Sequence, residues 1–315
     1  MGKSSRRQFA IKISQAMAFA AAKPRIALAQ KPAPSKTRLI LLGTAGGPRP
    51  KKSRHPSSQV ILINNAAYVI DCGNGVAAQL VNAGVSLPTL RHIFITHHHS
   101  DHNADYGNLL LIAWASGLRS RVDTWGPPPI DRMTRLFFEM NAYDIKTRIA
   151  DEGRVPLVPL VHSHEYSTGG VVMQDDNVKV RCALVDHPPV VPAFAYRFDS
   201  SDRSIVISGD TRPCEALIRL AQGADVLVHD ALYPAAVDRL LTGLPNAAAL
   251  KQSILSHHTP VEDAGRVATA AGVKTLVLSH FVPAEDASIT EQMWIDGARS
   301  TFKGTVIAGR DLLEI

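Results

Sequence analysis

Four potential metal donors stand within six residues of this chain. The run His97-His98-His99-Ser100-Asp101-His102 supplies imidazole nitrogens and a carboxylate oxygen, the donors that a borderline divalent ion such as zinc takes. In an extended or tightly turned segment, alternate residues project to one side. His97 and His99 then reach one ion, while Asp101 and His102 turn toward a second point nearby. A solvated His-rich loop is the alternative. The strand-like Arg91–Thr96 leading into the run, and the carboxylate set inside it, argue against that alternative.

The surrounding pattern is that of alternating strands and helices. Strands are predicted over Thr37–Thr44, Val60–Ile63, Ala67–Ile70 and Arg91–Thr96, the middle two joined as a hairpin at Asn64-Asn65. A short helix over Val76–Asn82 and amphipathic helices over Asp105–Leu118 and Ile130–Ile149 follow. Further buried strands are predicted at Val178–Val185, Ala193–Phe198, Ser204–Ser208, Asp225–Val228, Thr275–Leu278 and Thr305–Ala308, with helices at Glu215–Gln222 and Val261–Ala271. Two sheets between helix layers, in one α/β domain over residues 38–315, is the architecture this alternation implies. No repeat of 20–50 residues is present.

Composition narrows the function classes. Hydrophobic residues make up 45% and charged residues 20%, which excludes a disordered chain. The formal charge of +6 suggests an anionic partner until its distribution is considered. Residues 1–29 hold six of the 34 basic residues and no acidic one, leaving 28 against 28 in the remainder. Without that segment no electrostatic footprint for a polyanion survives. Three cysteines, Cys72, Cys182 and Cys214, form neither a disulfide framework nor a thiolate zinc site.

Thr96-His97-x-His99-x-Asp101-His102 resembles the signature of the metallo-β-lactamase-fold hydrolases. The resemblance implies a four-layer αββα sandwich and further ligands at later strand ends, for which His187, Asp210 and His280 are in order. Within that superfamily the likeness is to ribonuclease Z and its relatives. It rests on Gly43-Thr44-Ala45-Gly46, Asp71-Cys72-Gly73-x-Gly75, Ala195-Tyr196-Arg197, Ser208-Gly209-Asp210-Thr211, His229-Asp230-Ala231 and His257-His258-Thr259-Pro260.

The seven donors His97, His99, Asp101, His102, His187, Asp210 and His280 exceed what one tetrahedral ion uses, so two Zn²⁺ per chain are expected, with Asp210 between them. Such ions share a hydroxide that serves as nucleophile. The resemblance implies Asp101, His257 and Asp230 as catalytic candidates: His257 as general acid, Asp230 orienting it. Asp71 is expected to fix a ligand imidazole or the motif loop.

Bacterial ribonuclease Z grips tRNA with a long basic arm between the ligands matching His187 and Asp210. Here these residues are only 23 apart, so tRNA is not expected as partner. The expected substrate is a small phosphodiester or related ester. An arylsulfatase, lactonase or β-lactamase-type hydrolase on the same scaffold is the alternative, and a metal-binding protein without hydrolysis is a third reading. Residues 105–165, with Arg119, Arg121 and Tyr143, have two readings: a cap over the metals, or core packing with surface arginines. His162 and His164 are read as a rim or surface pair.

The N-terminus reads as an address. Ser5-Arg6-Arg7-Gln8-Phe9, a short apolar stretch and Ala27-Leu28-Ala29 resemble a twin-arginine signal with its cleavage site. The stretch is too short and alanine-rich for a membrane span. Residues 1–29 are therefore expected to address the chain to the periplasm through the twin-arginine translocase. Residues 30–37 form a Pro-rich linker. A homodimer is compatible with these features.

Overall fold

Leu39, Ile40, Leu41 and Leu42 are four consecutive buried aliphatics, a pattern of strands covered on both faces. The structure, a computed structural model, describes residues 37–315. The signal expected over 1–29 and the linker up to residue 36 lie outside the described residues. Leu39 and Leu41 pack between the sheets, whereas Ile40 and Leu42 pack under helices. One strand thus touches two of the four layers.

The first sheet begins with β1 (Arg38–Gly43), β2 (Ser58–Ile63) and β3 (Ala66–Ile70). β2 and β3 form the expected hairpin, with Asn64 and Asn65 at φ 48° and 63°, the left-handed pair of a two-residue turn. After α1 (Val76–Asn82), β4 (Leu90–Phe94) returns parallel to β3. The short α2 (Ser100–Asn103) and α3 (Tyr106–Ala115) then precede β5 (Val122–Gly126). The helices α4 (Ile130–Met140) and α5 (Ala142–Glu152) lead to β6 (Val161–Glu165).

The second sheet comprises β7 (Gly170–Gln174), β8 (Val178–Leu184), β9 (Phe194–Ser200) and β10 (Ser204–Ile207), followed by α6 (Glu215–Ala221) and β11 (Val226–Leu232). Then come α7 (Val237–Leu240), α8 (Ala247–His257), α9 (Val261–Ala271), β12 (Thr275–Val282), α10 (Glu291–Arg299) and β13 (Thr305–Ala308). The last strand, β14 (Leu313–Glu314), crosses back to pair with β1. The orders are β14-β1-β2-β3-β4-β5-β6 and β13-β12-β11-β10-β9-β8-β7.

The central core joins Tyr68 and Phe94 of the first sheet to Phe194, Tyr196 and Phe198 of the second. Leu80, Leu110 and Trp114 cover one outer face, and Leu217, Val267 and Trp294 the other. Each such side chain, fully buried, contributes roughly 1.5–3 kcal/mol of transfer free energy. The four-layer αββα sandwich is the result.

Two expectations need correction. The single helix expected over Ile130–Ile149 breaks at Asn141 (φ −98°, ψ 11°), whose Nδ2 donates to the Phe137 carbonyl at 2.8 Å. An asparagine side chain that bonds the preceding turn offers the backbone a way out of the helix. The cap reading of 105–165 gives way to sheet and outer layer. β5 and β6 pair in register within the first sheet, and Tyr143 is 87% exposed. Arg121 bonds Asp123. His164 also bonds Asp123 and stacks on Trp125. Among the described residues no helix is long and apolar enough to cross a membrane.

Candidate metal centre

β4 ends inside the core and delivers the motif loop to the rim of the sandwich. Immediately after β3, Asp71 takes a left-handed conformation (φ 59°) and turns its carboxylate under that loop. It accepts from the Thr96 amide at 2.8 Å and from His102 Nδ1 at 2.7 Å. With Nδ1–H committed to Asp71, His102 directs a bare Nε2 inward. Thr96 Oγ1 lies 3.0 Å from His97 Nδ1, leaving His97 Nε2 to face the same point. His98 is turned away, its ring bonded to the Pro127 carbonyl and to Asn103.

The second sheet brings the remaining donors. His187 follows β8, Asp210 follows β10, and His280 lies on β12 at φ 46°. Two close packings admit them. A Cβ on Gly46 would stand 2.5 Å from Val282 and 2.8 Å from the His280 ring. Gly209 (φ 62°) touches Thr96 and the Phe194 carbonyl, where a Cβ would be 2.9 Å from oxygen. Only glycine accepts both the approach and that dihedral.

The seven donors fall into two groups sharing Asp210: His97, His99, His187 and Asp210, and Asp101, His102, Asp210 and His280. Within the first, His99 Nδ1 is 3.1 Å from His97 Nε2 and 3.2 Å from His187 Nε2. Asp210 Oδ2 stands 3.8 and 3.9 Å from His97 and His187. Within the second, His280 Nε2 is 3.2 Å from both Asp101 Oδ2 and Asp210 Oδ2, and His102 Nε2 is 3.2 Å from Asp210 Oδ1. A tetrahedral ion with bonds of about 2.0–2.1 Å requires donor separations of roughly 3.3 Å. His102 Nε2 and Asp210 Oδ1 are also buried without a hydrogen-bond partner, a cost that a cation between them removes. The residues fit a divalent ion in each group.

The electrostatics agree. Burial pushes His97 well below the ordinary imidazole range, reinforced by the charge on His102, which leaves it as the neutral ligand form. Burial opposes charge on His102, but Asp210, Asp71 and Asp101 more than reverse it and raise that ring. Burial alone would raise Asp210; His102 and His280 hold it well below the carboxylate range. A pocket that stabilises positive charge and keeps carboxylates ionised suits a dication.

Residues 67–281 match the beta-lactamase superfamily domain. The chain is 35% identical over 277 residues to "Ribonuclease Z" of Mycobacterium bovis (strain BCG / Pasteur 1173P2), covering 87% of this chain and 96% of that one. The chain belongs to the metallo-β-lactamase superfamily. The "Ribonuclease Z" of Mycobacterium marinum is similar too, at 34% identity over 281 residues and the same two coverages. Among solved structures, the metallo-beta-lactamase fold protein YhfI from Bacillus subtilis superposes with a TM-score of 0.66 at 18% identity, covering 89% of this chain and 98% of that one. Human tRNase Z, short form, gives 0.64 at 19%, covering 88% and 98%. These structures share the fold. The protein is a metal-dependent hydrolase of ribonuclease Z-like type.

Beside this metallo-β-lactamase centre the structure corrects one pairing. Asp230 was expected to orient His257, but its Oδ2 lies 3.2 Å from His258 Nδ1 and accepts from the Thr259 amide. His257 is the last residue of α8. Its ring meets Ser253, and its carbonyl accepts from His187 Nδ1 at 3.1 Å. The physical reason is the helix end: α8 stops at His257, and His258 turns into extended backbone (φ −120°, ψ 164°), so that His258 and not His257 meets Asp230. His258 lies above the ordinary imidazole value; burial opposes this, but the Asp230 hydrogen bond and Asp210 prevail. His257 lies below it through burial, with the charge of His258 adding.

Residues 105–165 do not line the metallo-β-lactamase cleft. A cleft of about 500 Å³ runs from the donors between the 46–51 loop, α7–α8 and residues 282–285. Arg49, Lys51 and α8 had no signal in motif spacing. A second cavity of about 10 Å³, beside Asp210, is lined by Gln59, His229, Asp230, Ser279 and His280. His280 Nδ1, Ser279 Oγ, Gln59 Oε1 and His229 Nε2 have no protein partner there, and its size matches about one water.

Proposed function

We propose that the protein is an exported binuclear zinc hydrolase that cleaves a small phosphodiester. The observation that carries this is the cleft of about 500 Å³, a volume for a small molecule, with His99, Asp101, His187, Asp210, His258 and His280 along one side. Arg49 and Lys51 also line the cleft, together with Glu285, and the two cations favour an anionic substrate. Lys51 Nζ also binds the Gly46 and Gly47 carbonyls at 2.7 and 2.5 Å, and the Gly47 amide donates to Asp101 Oδ2 at 2.8 Å. The loop thus holds both a ligand carboxylate and the charge that meets substrate.

Bound zinc supplies Lewis-acid polarisation of the phosphoryl group and acidification of a nucleophilic water. The chain's own residues do the rest. Asp71 and the His257 carbonyl hold His102 and His187 in the required tautomers. Asp230 accepts from His258 Nδ1, which leaves Nε2 to give a proton to the departing oxygen. The Asp230 charge stabilises the protonated ring before that transfer.

The test is elemental analysis of active protein with a substrate panel. Close to two zinc ions per chain and preferential cleavage of bis(p-nitrophenyl) phosphate are expected. One ion or none in active enzyme, or preference for p-nitrophenyl sulfate, a lactone, a cephalosporin or a precursor tRNA, overturns the corresponding part. Export rests on Arg6-Arg7 and Ala27-Leu28-Ala29. Changing both arginines to lysine should retain the chain in the cytoplasm uncleaved; unchanged export of that variant refutes the address.

A further inference from the structure

The cleft lining is of two kinds. The loop 46–51 contributes Arg49 and Lys51, and Glu285 lines the same cleft. α8 presents Leu250, Ser253, Ile254 and His257 to it, positions i, i+3, i+4 and i+7 of one helical face. Leu240 of α7 extends that face, and Val282 and Pro283 continue the apolar lining. None of the α8 residues is fully buried. The helix packs on a small cluster of Leu232, Val237, Leu241 and Val282, against which Leu250 and Ile254 lie half-buried. An aliphatic side chain left half in water at a metal-site wall gains from any apolar group placed against it.

The direction of this face matters. α8 ends at His257, and the next residue is His258, held by Asp230. The strip holding Leu250 and Ile254 therefore runs up to the group proposed to protonate the departing oxygen. A volume of about 500 Å³ also far exceeds what a phosphoryl group fills.

We infer that the α8 face is a leaving-group subsite that binds an apolar alcohol, aryl or medium-chain alkyl, so that the preferred substrates are diesters with a hydrophobic departing half. This rests on the phosphodiesterase reading for the reaction, but not for the binding. In the reaction the bond between phosphorus and the apolar alcohol's oxygen breaks, water adds its oxygen to phosphorus, and the alcohol leaves carrying a proton.

Two substrate series test the subsite. One enlarges the departing group, from methyl 4-nitrophenyl phosphate to methyl 4-nitro-1-naphthyl phosphate; the other enlarges the retained group, to hexyl 4-nitrophenyl phosphate. The naphthyl substrate should gain about tenfold or more in kcat/KM, the scale of apolar contacts in an enzyme pocket, and the hexyl one little. Ile254→Asp and Leu250→Asp should each erase the gain. Leu255→Asp, on the same helix but outside the cleft, should keep it.

Binding of 4-nitro-1-naphthol to the full chain is read separately by calorimetry. It should be lost in Ile254→Asp and kept in Leu255→Asp. Equal gains in both series, or naphthol binding indifferent to Ile254, overturn the subsite even if phosphodiesters are cleaved. Naphthol binding that depends on Ile254 without any phosphodiester turnover keeps the subsite and overturns the proposed reaction.

Discussion

In the first sheet the pairing is antiparallel from β14 through β1 and β2 to β3, then parallel through β4 and β5 to β6. In the second it is antiparallel from β7 through β8 and β9 to β10, then parallel through β11 and β12 to β13. The halves repeat one order of orientations, yet they supply donors differently. The first half concentrates four in residues 97–102, under the single carboxylate of Asp71. The second half disperses three over the ends of β8 and β10 and along β12, supported by a backbone carbonyl, a small cavity and two close glycine packings. A concentrated loop can be held through few groups, here chiefly the Asp71 carboxylate. Dispersed donors depend on the sandwich being assembled around them.

The largest break in this comparison is at the residue both groups share. Asp210→Ala should strip metal from both, because its two oxygens face one group each or both. Zinc content should fall far below that of a His99→Ala variant, which removes a donor from one group only, and hydrolysis should fall to background. Equal zinc loss in the two variants would show that the groups are not linked through Asp210.

The next effect distinguishes two adjacent histidines. His258→Ala should lower kcat by roughly 10²–10⁴-fold for alkyl leaving groups, the range for losing a general acid, with metal content unchanged. His257→Ala should cost only a few-fold, since its ring meets Ser253 while its carbonyl, which the substitution retains, holds His187. The reverse ranking would return the acid to His257.

That pair also marks where sequence stops being informative. The strand before His97 and the alternation within the motif are local patterns; the four-layer sandwich and the downstream donors His187, Asp210 and His280 were legible through the family resemblance those patterns carry. Choosing between His257 and His258 requires knowing the residue at which α8 ends. Both are histidines one position apart, and spacing carries no such information. The segment 105–165 misleads for a similar reason. β5 and β6 are five residues each, and Pro127-Pro128-Pro129, between β5 and α4, resembles a loop more than a sheet connection. The wall of the cleft was invisible because Leu250 and Ile254 become a wall only when β12 and the 46–51 loop face them.

Support residues should sharpen the contrast more gently. Asp71→Asn keeps one oxygen for the Thr96 amide but replaces the acceptor that fixes His102 with an NH2 group, and metal affinity should fall about 10–100-fold, the usual cost of such a partner. Gly46→Ala crowds Val282 and, of the seven donors, His280 alone. It should weaken the group containing His280 by about tenfold or less while the His97–His99–His187 group keeps its metal. Competition titrations with a zinc chelator resolve two affinities. A parallel fall of both in Gly46→Ala would mean that the dispersed donors are not individually vulnerable.

The smallest effect lies at the far end of the second half's parallel strands. Asp225, just before β11, accepts from the Ser204 amide and hydroxyl and from Lys274 Nζ, tying the starts of β10 and β12 together. The Lys274 bond, helped by those from Ser204, pulls its carboxyl down to about 2. A depressed carboxyl contributes stability above its unfolded value of about 3.9, and that contribution disappears as pH falls through about 2. Because the carboxylate is partly exposed and its Lys274 partner largely so, solvent screening keeps the contribution below about 1 kcal/mol. Asp225→Asn should therefore lower Tm by about 1–3 °C near pH 6, with the difference from wild type closing between about pH 4 and pH 2. A Tm difference that persists unchanged at pH 2 would mean the carboxylate's charge is not what joins these strands.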